Sequence, residues 1–244
     1  MTYAAFHLFF LCPALVVAFL LSRNERKHLG KHGRLSIMIL CFFAVSYTTP
    51  WDNYLIYKKV WWYGEDRVLG TLFYVPIEEY IFFFLQTILM SWFFLWVAKP
   101  STWSRRGSVP SILNFTSLVC FLPCLMCVPF LFNDQTLYLG LITTWSLFVL
   151  GLQWIIGGRR LWALRKPILL TVGVGSLYLG IADGIAINQG IWTISPQYTI
   201  GVSLLGLPFE EALFFVVTNF LVVQGITLFC DPDLRYWVDQ RLNQ

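Results

Sequence analysis

Two pairs of adjacent carboxylates interrupt an otherwise apolar chain: Glu78 and Glu79 in VPIEEYIFFF, and Glu210 and Glu211 in LPFEEALFFV. Each pair follows a proline, Pro76 or Pro208, with one apolar residue between, and each opens a long run of apolar and aromatic side chains. Upstream, Asp52 precedes Pro76 and Asp183 precedes Pro208 by nearly equal intervals. A carboxyl that keeps its proton in an apolar pocket is a Brønsted acid, and an ionised neighbour is a base. Such a pair suits a reaction that adds one proton and removes another. Trp51 and Tyr54 flank Asp52, and Tyr80, Phe82 and Phe83 follow the first pair. Their π-faces attract cations. Acid and aromatic face in a dry cavity fit protonation of an alkene and stabilisation of the resulting carbocation. Adjacent helical residues point about 100° apart, so one glutamate of each pair faces the bundle centre, and spacing leaves open which one.

The elements that position these acids are membrane helices. Only 12% of the 244 residues are charged, 57% are hydrophobic and the mean hydropathy is +0.66, against roughly 25% charged in a soluble domain. A span needs roughly 20 apolar residues as a helix. Seven stretches qualify, near 2–22, 35–51, 71–98, 112–132, 135–156, 167–189 and 201–229. The first has its positive charges after the apolar run, which reads as a helix instead of a signal peptide. Basic residues near span ends stay on the cytoplasmic side. With the N-terminus outside and the C-terminus cytoplasmic, only Lys58, Lys59 and Arg67 lie outside. Arg23, Arg26, Lys27, Lys31 and Arg34, Lys99, Arg105 and Arg106, Arg159, Arg160, Arg165 and Lys166, and Arg235 and Arg241 fall inside. The net charge of +4 is then a topology signal, and no nucleic-acid partner is needed to explain it.

The expected fold is an all-α membrane protein of seven helices arranged as a parallel 3+1+3 repeat. Helices 1 to 3 (1–98) and 5 to 7 (135–230) are the two copies, 99–134 holds the linker and connecting helix 4, and 231–244 is a cytoplasmic tail. Each copy carries an aspartate near the outer end of its second helix, then an aromatic loop with Trp61 and Trp62 or Trp192, then the acidic pair. Both acid sites then lie in the outer half of the bilayer and can line one cavity. A proline near a helix start has a structural explanation, and so has a glutamate just after it. That explanation suits Glu78 better than Glu210 and Glu211, because 201–207 reads as already embedded, which puts the second pair a turn or two deep in the membrane.

Other chemistries lack their residues. GVGSLYLG has Tyr178 where a dinucleotide fold needs its third glycine, and its Ser176, Gly180 and Gly184 read as a close-packing face. His28 and His32 sit in a basic loop, Cys124 and Cys127 lack a second pair, and no metal site is expected. No span carries an interior lysine for a retinal-type Schiff base.

TPWDNY, PIEEYIFF and PFEEALFF resemble the integral-membrane carotenoid cyclases of the lycopene cyclase type, in the tandem fused form, over essentially the whole chain. The resemblance implies a catalytic role for Glu78, Glu79, Glu210, Glu211 and Asp52. Asp183 is a weaker transfer, because GIAD stands where the first half has TPWD. It further implies a cofactor-independent ring closure of lycopene through a carbocation, giving β-rings by way of a monocyclic intermediate. The residues themselves leave β, ε and γ rings open. The substrate is a lipophilic polyene entering from the bilayer, its end group contacted by Trp51, Asn53, Tyr54, Tyr80, Phe82, Phe83, Trp192 and Phe209. Pro76 and Pro208 are structural. Other carotenoid enzymes such as phytoene synthase are candidate partners, the oligomeric state is open, and the place is the cell membrane. The rival is a proton-coupled carrier with the same repeat, which predicts a polar path across the membrane.

Overall fold

The computed structural model describes residues 1–103, 121–204 and 206–242. Among them, six helices are long and apolar enough to cross a membrane. α1 is Tyr3–Leu21, with a π-helical turn at His7–Leu11. α2 is Arg23–Tyr57 and α3 is Ile77–Ala98. A short helix, α4, covers Leu122–Cys127 and is followed by a 3-10 segment, Val128–Phe132. α5 is Leu137–Ala163, α6 Arg165–Asn188, α7 Phe209–Cys230 and α8 Pro232–Leu242. The outward faces remain greasy, with Phe9, Val16, Phe42, Leu169, Leu177 and Ile181 exposed, as a lipid-facing surface requires. This is a multi-pass membrane architecture.

Four sequence expectations need correction or bounding. The basic stretch after α1 is not a loop: it is the first part of α2, bent at Gly30 (φ 56°), because Arg, Glu, Lys and Leu are good helix formers outside hydrocarbon as well as inside it. The break before α6 is equally short. Residues 71–76, 201–204 and 206–208 are not helical. Residues 112–120 of the expected fourth span, 112–132, lie outside the described residues. Gly184 leaves the expected small-residue face, since a Cβ there meets nothing within 4 Å, whereas one at Gly180 would lie 3.3 Å from Leu207.

The replacement for those lost helical turns is the same in both halves. Strands β2 (Thr71–Leu72) and β3 (Val75–Pro76) form a tight hairpin, and so do β5 (Ser203–Leu204) and β6 (Leu207–Pro208). Each proline ends its hairpin in extended conformation (ψ 147° and 144°), and the next residue starts a helix. Proline supplies the fixed φ and needs no donor at that junction. Glu210 and Glu211 therefore occupy the first turn of α7, as Glu78 and Glu79 do in α3, and the second pair is no deeper in its helix than the first.

The aromatic loops join the halves. β1 (Trp61–Tyr63) pairs antiparallel with β4 (Trp192–Ile194), Trp62 opposite Thr193. Gly64 N donates to Ile191 O at 3.0 Å and Ser195 N to Val60 O at 2.8 Å, which extends the ladder at both ends. Inside the bundle a polar chain ties α3, α6 and α7. Gln86 Nε2 donates to Asn219 Oδ1 (3.0 Å), Asn219 Nδ2 to Ser176 Oγ (3.0 Å), and Ser176 Oγ to Phe215 O (3.2 Å). Satisfied networks of this kind specify one packing among apolar helices.

Candidate active site

The hairpin geometry decides which glutamate faces where. Glu78 Oε1 accepts from Leu69 N at 2.8 Å, and Glu210 Oε1 accepts from Ile200 N at 2.7 Å. Both side chains are buried and turned toward the loop that precedes their own hairpin. Their neighbours, about 100° round the helix, turn inward. Glu79 and Glu211 line one cavity together with Asp52 and Asp183. Four carboxyls thus meet from α3, α7, α2 and α6.

Their hydrogen bonds differ. Glu79 Oε2 accepts from two phenols, Tyr3 (2.6 Å) and Tyr63 (2.9 Å). Glu211 Oε1 accepts from Tyr138 (2.6 Å), and Asp183 Oδ1 from Trp192 Nε1 (3.0 Å). Asp52 is 2% exposed, and its Oδ2 has no partner. Tyr63 stands in the β1 loop, where burial and then the Glu79 charge hold its phenol well above the ordinary value. It keeps its proton, and so stays a donor to Glu79, across the usual pH range.

Aromatic rings complete the wall. Trp51 stacks on Phe214 at 5.7 Å with 6° between planes and approaches Trp61 at 5.7 Å. Tyr3 lies 4.9 Å from Trp192, and Phe82 packs edge-on to Phe215 at 6.3 Å. The cavity measures about 50 Å³.

Of the residues expected at the substrate, Trp51, Phe82 and Trp192 line this cavity and the other five do not. Asn53 bridges Thr49 O (2.8 Å) and Tyr74 N (3.1 Å), and Tyr80 donates to Leu72 O (3.1 Å), so both pin the first hairpin. Tyr54 and Phe209 are each 41% exposed. Phe83 points into a separate cleft. Tyr3, Tyr63 and Tyr138 escaped the sequence reading. Tyr3 and Tyr138 stand at the starts of α1 and α5, and their shared place at the head of an apolar run is a signal the sequence does carry. Tyr63 has Ile194 at its counterpart, by the equal spacing of Trp61 from Asp52 and Trp192 from Asp183, and carries no such signal.

A family model described as lycopene cyclase matches residues 1–98 and 135–229. A lycopene beta-cyclase of Halobacterium salinarum is 45% identical over 198 residues, which cover 78% of this chain and 80% of that one. A bifunctional lycopene cyclase/phytoene synthase of Arthroderma gypseum is 34% identical over 214 residues, covering 78% of this chain and 35% of the fungal one. That of Phaeosphaeria nodorum is 34% identical over 236 residues, with shares of 91% and 40%. No solved structure matches. Both acid motifs and all four cavity carboxyls fall inside the matched segments, and the chain belongs to the lycopene cyclase family.

Proposed function

We propose that this chain is a lycopene β-cyclase, closing rings on the acyclic ends of lycopene by acid–base catalysis. The observation that carries the reading is the convergence of Asp52, Glu79, Asp183 and Glu211 on one aromatic cavity. Asp52, to which no described group donates a hydrogen bond, keeps its own proton and delivers it to the terminal double bond. Glu79, served by two phenol donors, is the better placed base, because hydrogen bonds to the carboxylate form favour it. It removes a ring proton after closure. Hydrogen and electrons balance: one proton is added, one carbon–carbon bond forms, and one proton leaves, so no redox partner is required. Trp51, Phe82, Phe214 and Phe215 stabilise the intermediate cation by π-face attraction. Glu211, with one phenol donor, and Asp183, with the Trp192 indole, complete the carboxyl wall. Glu78 and Glu210 fasten loops.

A ring-sized guest such as benzene occupies a cavity of about 150 Å³, so the site opens when the end group enters. The architecture we propose has seven spans in a parallel 3+1+3 repeat, 1–98 and 135–230 about 99–134, with the 231–244 tail on the cytoplasmic side of the cell membrane. The basic-residue distribution supports the orientation. The β1–β4 pairing and the two matched family segments, which leave out 99–134, support the repeat. The fusion named in the fungal relatives supports association with other carotenoid enzymes.

The test is expression in lycopene-accumulating cells with pigment analysis. Yellow bicyclic and monocyclic products are expected, and unchanged lycopene beside folded protein would sink the proposal.

A further inference from the structure

A larger cleft of about 740 Å³ lies outside the acid cavity, between α2 and α5 and floored by α3 and α7. Its wall is apolar, with Phe43, Phe148, Val149, Leu152, Leu221 and Val222 among the lining residues. Gln86, Thr87 and Thr218 reach it, but each donates inside the protein, to Asn219, Phe83 O and Phe214 O. On α7 the lining runs from Phe214 to Phe229, about 22 Å at 1.5 Å per residue. The space is therefore long, and its far end is marked by His32 and Arg235.

The near end abuts the acids. Tyr47, Trp145, Trp51 and Phe214 form a continuous stack with centroid separations of 5.2, 5.4 and 5.7 Å and interplanar angles of 17°, 21° and 6°. Trp51 and Phe214 line the acid cavity, while Tyr47, Trp145 and Phe214 line the cleft. The partition is one ring thick. α2 and α5 touch through this stack, where Tyr47 OH donates to Trp145 O at 3.1 Å. Elsewhere along the cleft Phe43 (59%) and Phe148 (47%) are exposed, so the cleft opens sideways toward lipid.

We infer that this cleft binds the body of the polyene lengthwise along α7, with one acyclic end at the aromatic stack, and that Trp51 and Phe214 form the partition through which that end reaches the acids. The guest's identity rests on the cyclase reading. The acid cavity is too small for more than part of an end group, and the cleft is the apolar space that adjoins it. A conjugated chain is stiff and loses little rotamer freedom in a straight groove, whereas a lipid acyl chain loses freedom at every bond. A single acid cavity at one end of the cleft also means one ring per binding event. The monocyclic product leaves and returns reversed before the second ring closes.

Val149→Trp and Leu221→Trp fill the cleft without touching the acid cavity. With lycopene, kcat/KM is expected to fall by about tenfold or more, whereas a truncated polyene with the same acyclic end, too short to pass the stack, is turned over within about twofold of wild type. Loss on neither substrate, as expected if the cleft holds only lipid, overturns the inference. So does equal loss on both by variants with an unchanged thermal midpoint. If the variants do not fold, the Asp52→Asn chain decides: bound lycopene, achiral in solution, should acquire visible circular dichroism in the groove, and its absence overturns the inference. Induced dichroism in a wild-type chain that cyclises neither substrate would keep the cleft and remove the cyclase reading.

Discussion

Glu78 and Glu79 are neighbours of the same type, yet their substitution should have opposite consequences. Glu79 lines the acid cavity, while Glu78 holds Leu69 N at 2.8 Å and turns away from it. Glu79→Gln removes a proton acceptor from the reaction and should cost about 10²–10⁴-fold in kcat. Glu78→Gln keeps an amide oxygen for Leu69 N. A hydrogen bond to a charged acceptor contributes about 1.5–3 kcal/mol and a neutral one about 0.5–1.5, so the expected loss is about 1 kcal/mol of stability with turnover nearly intact. In a chain of this size that lowers the thermal midpoint by roughly 2–4 °C. Glu78→Ala, which leaves the Leu69 N–H stranded, should cost more. The assay is lycopene loss and ring formation by purified protein in micelles, run beside thermal unfolding. Glu211→Gln, at a carboxyl that lines the cavity without being the base, should slow turnover by less than Glu79→Gln, while Glu210→Gln should cost stability with turnover nearly intact. A folded Glu78→Gln chain without activity, or a Glu79→Gln chain that cyclises normally, would refute the assignment.

Tyr3→Phe and Tyr63→Phe should each slow turnover only a few-fold and the double variant by more than their product, because both phenols serve one oxygen of Glu79. Tyr63 also sets an alkaline limit. Its folded phenol is held above the ordinary value by burial and the Glu79 charge, so its contribution is complete below about pH 10 and fades as pH rises further. Unfolding curves of Tyr63→Phe should be flatter there. Asn219→Leu removes one bond from Gln86, which keeps Thr218 Oγ1, and one from Ser176, which keeps Phe215 O, and at about 0.5–1.5 kcal/mol per bond should lower stability by about 1–3 kcal/mol while turnover at permissive temperature changes little. Gly64→Ala drives a methyl into the Gly190 carbonyl and should open the β1–β4 pair, reducing stability and activity together in unfolding and pigment assays. Arg160→Met leaves Asp231, paired at 2.7 Å and nearly buried, without its cation, and should destabilise by about 3–5 kcal/mol in thermal or denaturant unfolding.

The membrane class was legible because hydropathy needs no partner: a run of apolar residues meets hydrocarbon whatever the helices around it do. Boundaries were less so. Arg23–Arg34 looked like a loop by charge, yet charge does not stop a helix once it leaves the bilayer. The 201–208 stretch looked like span by hydropathy, yet its glycines and proline favour a hairpin. Gly201 and Gly206 adopt φ of 76° and 85°, conformations that helix-based reading of an apolar run does not consider.

The doubled Pro-x-Glu-Glu and its aspartates were determined by the sequence alone, because their residue types and near-equal spacing need no structure to be measured. The side chosen by each glutamate was decided only in three dimensions. A 100° step between Glu78 and Glu79 is the same in every helix; it acquires a direction when the hairpin presents Leu69 N to one carboxylate and α1 brings Tyr3 to the other. The long cleft along α7 belongs to the same class, since it is made of gaps between helices far apart in the chain, and no local pattern records an empty space.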